Sequence, residues 1–308
     1  MIDQETIGLL MKGVNGVTWQ SVVMILVSFV LFYLAIVKDY EPLLLLPIGA
    51  GCLLANLPLS PLMDEHGMLR ILYQVGVENE LYPLLIFVGI GALTDFGPLL
   101  ENPKFVLLGA AGQFGIFMTL ILALLLGFTQ NEAASIGIIG AIDGPTSIYV
   151  SGILAPHMLG PITVAAYSYM SLVPIIMPPV IFALTSKEER AIRMPYASRK
   201  ISRRTRIMFP IIVTVMVGTL VPFATPLIGM LMLGNLMKES GAVERLTKAS
   251  SNEIANMVTL FLGLAIGSTM VGTDFLKTQT LFILILGLLA FGVDCAAGVL
   301  FAKIPNVI

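Results

Sequence analysis

Apolar runs of roughly bilayer length recur from end to end of this chain, and they are continuous rather than alternating. Residues 17–36, 105–127, 159–184 and 280–301 are each long enough to cross a hydrocarbon core, which takes about 20 apolar residues in a helix. Shorter runs lie at 42–57, 81–93, 133–142, 147–154, 208–223, 226–237 and 257–272. Lipid offers no water to unpaired backbone groups, so only helices or closed barrels span it. Barrel strands alternate apolar and polar side chains. These runs do not, and they predict helices. With 57% hydrophobic and 12% charged residues, against about 25% charged in a soluble domain, this is an integral membrane protein. The expected fold class is all-α and polytopic, with about ten membrane segments including broken or re-entrant helices.

One segment breaks the apolar pattern in a way that points to chemistry. GIIGAIDGPTSIYVS, residues 137–151, places Asp143 before a Gly-Pro pair and follows it with Thr146, Ser147 and Tyr149. Proline removes a backbone donor and ends a helix, and glycine permits unusual dihedrals. Within lipid such a break persists only inside protein or beside water. It frees carbonyls at one half-helix end. Carbonyls, a carboxylate and hydroxyls together form a hard oxygen set suited to Na+. An ionised, unpaired carboxylate at membrane depth costs roughly 2.5–3.5 kcal/mol, and protonation relieves that cost. Asp143 is therefore read as a group that exchanges Na+ for H+, with Thr146 and Ser147 as further ligands. Its bland counterpart is a helix-capping aspartate.

Other polar residues at membrane depth allow two readings each. Asp294, in LLAFGVDCAAGVLF, either binds ions at a second polar site or hydrogen-bonds a neighbouring helix. Tyr167 and Tyr169 are two apart on one helix and face different sides, so one of them is expected at the site. Asn56 and Asn235 read as polar groups of short helices, ion-binding in the case of Asn235 or simply capping. Cys52 and Cys295 lie in apolar runs and read as small core residues. His66 and His157 match no ligand spacing. Residues 68–75 read as a surface helix. Eight of the 17 Lys and Arg fall in residues 187–206, which places this segment on the cytoplasmic face; it also offers a docking surface for a soluble partner.

An internal repeat sets the domain organisation. Pro47 and Asn56-Leu57 return as Pro226 and Asn235-Leu236, and Thr94-Asp95-Phe96 returns as Thr273-Asp274-Phe275, all at one constant offset. Phe114-Gly115 returns as Phe291-Gly292 at nearly the same offset. Order and spacing together suggest a duplicated transporter fold. Residues 1–186 form the first repeat with the Asp143 motif, 187–206 the basic loop, and 207–308 a second repeat. The image of Asp143 would fall past Ile308, so the second repeat is expected to be incomplete, its end supplied by another chain if at all.

GIIGAIDGPTSIYVSGILAP, AAYSYMSLVPIIMPP, EPLLLLPIGAG, ALTDFGPLLENPK and LGNLMKESGAVERL together resemble the beta subunit of the biotin-dependent, sodium-pumping decarboxylases. That family includes oxaloacetate, methylmalonyl-CoA, glutaconyl-CoA and malonate decarboxylase complexes, and the likeness runs over nearly the whole chain. The resemblance implies a translocase subunit of the cell (inner) membrane that takes carboxybiotin from a carrier and couples its decarboxylation, with consumption of a proton, to Na+ export. Asp143 matches the family's Na+/H+-exchanging aspartate, and Tyr169 matches a tyrosine implicated in the same path. The implied partners are a carboxyltransferase (alpha) subunit, a biotin carrier protein and a small gamma-type membrane subunit in an oligomeric complex. The family pattern continues past AAGVLFAK into a stretch resembling NPLIGSAGVSAVPMAARV, which is not found here, and that departure leaves an inactive short subunit as one alternative. An ion-coupled secondary transporter is another. An intramembrane aspartyl protease using Asp143 and Asp294 lacks the Gly-x-Gly-Asp context.

Overall fold

The structure, a computed structural model, describes residues 11–192 and 201–304. It is all-helical, with no strand among the described residues. In chain order the principal helices are α1 (Trp19–Ile36), α2 (Pro42–Ala55), α3 (Leu81–Leu93), α4 (Phe105–Gly112), α5 (Phe114–Leu125), α6 (Gln130–Gly137), α7 (Gly144–Leu154), α8 (Leu159–Leu184), α9 (Arg203–Leu220), α10 (Thr225–Ser240), α11 (Ala255–Thr269) and α12 (Thr278–Ala302). By length and composition, three described segments suffice to cross a membrane: Trp19–Ile36, Phe105–Leu125 and Thr278–Ala302. A fourth is the pair Pro61–Glu78 and Leu81–Leu93, bent by 61°.

Local chemistry fixes the ends of these helices. Thr18 caps α1 by accepting the Ser21 N–H at 3.1 Å, which satisfies one of the donors a helix start leaves orphaned. Thr129 and Glu132 form a reciprocal capping box at the start of α6, and Ser202 caps α9. Pro42 opens α2 and Pro145 opens α7, where the missing N–H does no harm. The expected span 105–127 is one crossing segment, Phe105–Leu125, with a turn at Gln113 that separates α4 from α5. The expected surface helix at 68–75 is Met68–Leu72 followed by a π-helical turn, Tyr73–Glu78, and it buries Leu69 and Val77. α8 continues past its prolines to Leu184.

Two cores hold the bundle. One joins α1, α2 and α11 through Met24, Leu45, Ile48, Cys52, Leu262 and Ile266. The other joins α5, α6, α8 and α12 through Ala123, Ile136, Ile162, Ala166, Leu286 and Phe291. Large apolar side chains such as Trp19, Phe29, Phe117 and Leu288 face outward, as lipid requires.

Packing crosses between the chain's halves. α2 lies against α11, and α10 lies against α3. Both contacts are close because they are made at glycine: Gly51 and Gly267 in the first, Gly91 and Gly234 in the second, where an added methyl would strike the facing backbone. α8 and α12 run side by side in the same direction. Tyr169 reaches the Leu284 carbonyl, and Lys303 reaches the Leu184 carbonyl at 2.8 Å. The C-terminal ends of both helices thus sit together beside Ser186–Arg190. Residues 193–200 of the basic segment lie outside the described residues; on its far side Arg203 donates to the Ser240 carbonyl at 2.5 Å.

Candidate functional site

The break expected at Asp143 is present. α6 ends at Gly137, a 3-10 turn carries the chain over Ile138–Ala141, and α7 starts at Gly144. Between them Ile142 adopts a left-handed conformation with φ 55° and ψ 35°. A β-branched residue there is strained, by roughly 1–3 kcal/mol. Asp143 follows in extended backbone, φ −134° and ψ 106°, as the N-cap of α7. Its carboxylate does not cap the helix backbone. Instead Oδ2 accepts the Thr146 hydroxyl. Its own carbonyl accepts the Ser147 N–H at 3.0 Å and the Ser147 hydroxyl at 2.9 Å. Asp143 is half-buried and Ser147 fully buried.

The arrangement has a clear chemical sense. Thr146 and Ser147 direct their hydrogens toward Asp143, so their oxygens keep lone pairs. Two carboxylate oxygens, two hydroxyl oxygens and the carbonyls at the end of the first half-helix share one break. The set is all oxygen, and it suits a hard cation. Among the described residues no group of three or more His, Cys, Asp or Glu forms a transition-metal site.

Tyr167 is the aromatic neighbour of the break. Its ring packs on Gly144, where any side chain would collide with it, and the residue is buried. Tyr169 turns to α12. Its hydroxyl donates to the Leu284 carbonyl at 2.5 Å, and its ring meets Phe291 edge-on at 5.7 Å. The side chain of Ser168, between them, is outside the described set.

Two other residues named from the sequence have partners of their own. Asp294, 5% exposed, accepts the Gly115 N–H at 2.5 Å. That N–H lies in the first turn of α5, where helix donors lack intrahelical partners and a negative charge is favoured. Asn235 donates to the Thr94 carbonyl at 3.1 Å and the Gly91 carbonyl at 3.5 Å, at the end of α3. Lys238 joins it there, 3.0 Å from both the Leu93 and Thr94 carbonyls. Asp143, Thr146 and Ser147 are thus brought together, whereas Tyr169, Asn235 and Asp294 each bridge other helices. His157, which sequence spacing did not single out, meets Glu132 at 2.9 Å. The two are far apart in the chain and on different helical elements, so periodicity gives no signal for that contact.

Known proteins resemble this chain over most of its length. The family model described as Na+-transporting oxaloacetate decarboxylase beta subunit matches residues 20–308. Methylmalonyl-CoA decarboxylase subunit beta of Propionigenium modestum is 50% identical, over 96% of this chain and 80% of the relative. Glutaconyl-CoA decarboxylase subunit beta of Acidaminococcus fermentans is 51% identical, over 96% and 78%. Oxaloacetate decarboxylase beta chain 2 of Salmonella typhi is 46% identical, over 92% and 79%. A match from residue 20 to residue 308, with relatives about half identical over most of their length, leads to one assignment: the chain belongs to the family of Na+-transporting oxaloacetate decarboxylase beta subunits.

Proposed function

We propose that this chain is the membrane subunit that couples decarboxylation of carboxybiotin to Na+ export, with Asp143 as the residue that holds Na+ and H+ in turn. The observation that carries the reading is the broken helix at Asp143, whose carboxylate accepts the Thr146 hydroxyl while its carbonyl accepts that of Ser147. Na+ is the cargo. Carboxybiotin arrives on a biotin carrier protein, and a carboxyltransferase subunit and a small gamma-type membrane subunit complete an oligomeric complex in the cell inner membrane. Residues 1–186 and 207–308 act as two related repeats around the basic segment.

The chemistry requires a proton. When the C–N bond of N-carboxybiotin breaks, CO₂ leaves and the electron pair stays on the ureido nitrogen, which takes up H+. An aspartate that releases H+ as Na+ binds can feed that nitrogen, and reprotonation on the other side expels Na+. Thr146 and Ser147 would hold the dehydrated ion while the carboxylate is charged. Tyr167, packed on Gly144, fixes the start of α7 and excludes water from it. Tyr169 serves the same path from the α12 side of α8.

In the complete complex, Asp143→Asn should abolish Na+-dependent decarboxylation and Na+ uptake into inverted vesicles together. Retention of either activity at the normal rate would overturn the reading.

A further inference from the structure

A row of buried hydroxyls runs on from Ser147, beyond the residues used above. Ser147 and Ser151 follow Asp143 at four-residue intervals on one face of α7, and both are fully buried. Ser147 donates to the Asp143 carbonyl at 2.9 Å, and Ser151 donates to the Ser147 carbonyl at 2.5 Å. On α8, Thr163 lies one turn before Tyr167 on the same face, and Gly160 lies about one turn further back. α7 and α8 are joined by the turn Pro156–Met158 and pack against each other as a hairpin. Tyr167 packs on Gly144, so Thr163, one turn earlier on that face of α8, lies toward the α7 side of the hairpin.

The row continues into α11. Gly160 has no side chain, and the Thr269 hydroxyl of α11 occupies the space a Cβ would fill. Thr269 donates to the Ile266 carbonyl at 2.7 Å, and Ser268 donates to the Ala265 carbonyl at 2.6 Å. Gly160, Ser268 and Thr269 line a cavity of about 410 Å³ whose wall also carries His157, Lys277 and Thr280. That cavity sits at the N-terminal ends of α8 and α12. The C-terminal ends of these helices meet beside the basic segment, so the cavity opens on the opposite membrane face.

The hydrogen-bonding pattern of the row is selective. Ser147, Ser151, Ser268 and Thr269 each give their hydrogen to their own helix, which leaves oxygen lone pairs to face their neighbours. Thr163 departs from this pattern. Its Oγ1 is fully buried and has no hydrogen-bond partner. A buried hydroxyl without a protein partner is costly, and a passing ion would satisfy it. None of these row residues is a carboxylate, so a cation meets hard donors without a fixed countercharge. Such a row passes an ion onward and does not store it.

We propose that Ser147, Ser151, Thr163 and Thr269 form the release path by which Na+ leaves Asp143 for the cavity on the face opposite the basic segment. The proposal rests on the reading of Asp143 as the Na+ carrier.

Thr163→Val in the complete reconstituted complex tests it, because valine keeps the shape and removes the oxygen. Radiolabelled Na+ transport should fall roughly five- to tenfold, the scale of one lost polar contact. Decarboxylation should fall in step, the thermal midpoint should hold or rise as the orphan hydroxyl is replaced by a methyl, and Thr163→Ser should restore flux. Wild-type flux in Thr163→Val overturns the proposal, and so does a flux loss that merely follows a lowered thermal midpoint. Should Thr163→Val not assemble, Ser151→Ala is read instead: reduced flux supports the path and normal flux rejects it. Normal pumping by Asp143→Asn sinks the Na+ reading itself. Loss in Asp143→Asn beside normal flux in Thr163→Val rejects the release path alone.

Discussion

Asn56 gives its side-chain N–H to the carbonyl of Met270 at 2.7 Å, and Asn235 gives its own to the carbonyl of Gly91 at 3.5 Å. The step in the chain from Asn56 to Asn235 equals the step from Gly91 to Met270. The two bonds are therefore images of each other under the same offset that relates the sequence motifs. They close equivalent helix pairs, α2 with α11 and α10 with α3. Both asparagines are buried, at 4% and 1% exposure. Asn56→Ala and Asn235→Ala should each lower stability by about 1–2 kcal/mol, the range of interhelical hydrogen bonds in membranes. Thermal melts of detergent-solubilised protein would check this. If Asn235 is also an ion ligand, Asn235→Ala should raise the Na+ concentration needed for half-maximal activity, and Asn56→Ala should not.

Asp294 separates a structural from a transport role. Its carboxylate accepts the Gly115 N–H that α5 leaves unpaired. Asp294→Asn keeps an acceptor oxygen and should cost under about 1 kcal/mol, whereas Asp294→Leu orphans a buried donor at about 1–3 kcal/mol. Na+ transport near the wild-type rate in Asp294→Asn would assign the residue to structure. Loss of transport with an unchanged melt would assign it to the ion path.

Gly144 and Tyr167 occupy one space. Gly144→Ala should therefore destabilise the α7–α8 hairpin by about 1–3 kcal/mol, as overpacking does, and lower Na+-dependent activity with it. Tyr167→Ala opens that space. The double variant should cost less than the sum of the single variants, and a double-mutant cycle would measure the coupling. Additive costs would show that the ring and the glycine do not meet.

At the basic end, Glu189 pairs with Lys303 at 3.0 Å. The Ser186 backbone N–H holds its carboxyl below the usual range, with the Lys303 side chain adding to the effect. A carboxyl whose folded pKa is depressed contributes fully above its unfolded value, and loses that contribution as pH falls through the folded value. The tie between α12 and Ser186–Arg190 should thus hold from neutral pH down and weaken below about pH 4. Hydrogen exchange at Ser186–Arg190 would follow it. Lys303→Met should reduce protection at neutral pH and change little once the carboxyl is protonated.

Much of this organisation is written in the chain's apolar pattern. α3 and α8 begin and end where the runs 81–93 and 159–184 do, because Glu80 and Thr94-Asp95 bound the first and the Pro156–Met158 turn and Thr185-Ser186 bound the second. The break at Asp143 is legible because Gly-Pro has few other uses inside an apolar stretch. What periodicity does not carry is the choice among neighbours. Gln113 lies in an otherwise apolar run, yet it divides α4 from α5. Tyr167 and Tyr169 look equivalent until α7 packs on one side of α8 and α12 on the other. Leu69 falls in the run read as a surface helix, but it is buried, and the π-helical turn that follows buries Val77 as well. The hydroxyl row is likewise hidden, since Thr269 reaches α8 only through the missing side chain of Gly160.

The crossed packing of α2 on α11 and of α3 on α10 has a consequence for biosynthesis. α2 is complete at Ala55, yet the helix that covers its glycine face begins only at Ala255. At roughly 5–20 residues per second, the interval is on the order of ten seconds or longer. Throughout that time Gly51 and Asn56 have no permanent neighbour, and the nascent protein depends on lipid or an insertase to shelter them. Translation that stalls before Ala255 would strand those early helices and mark the product for proteolysis.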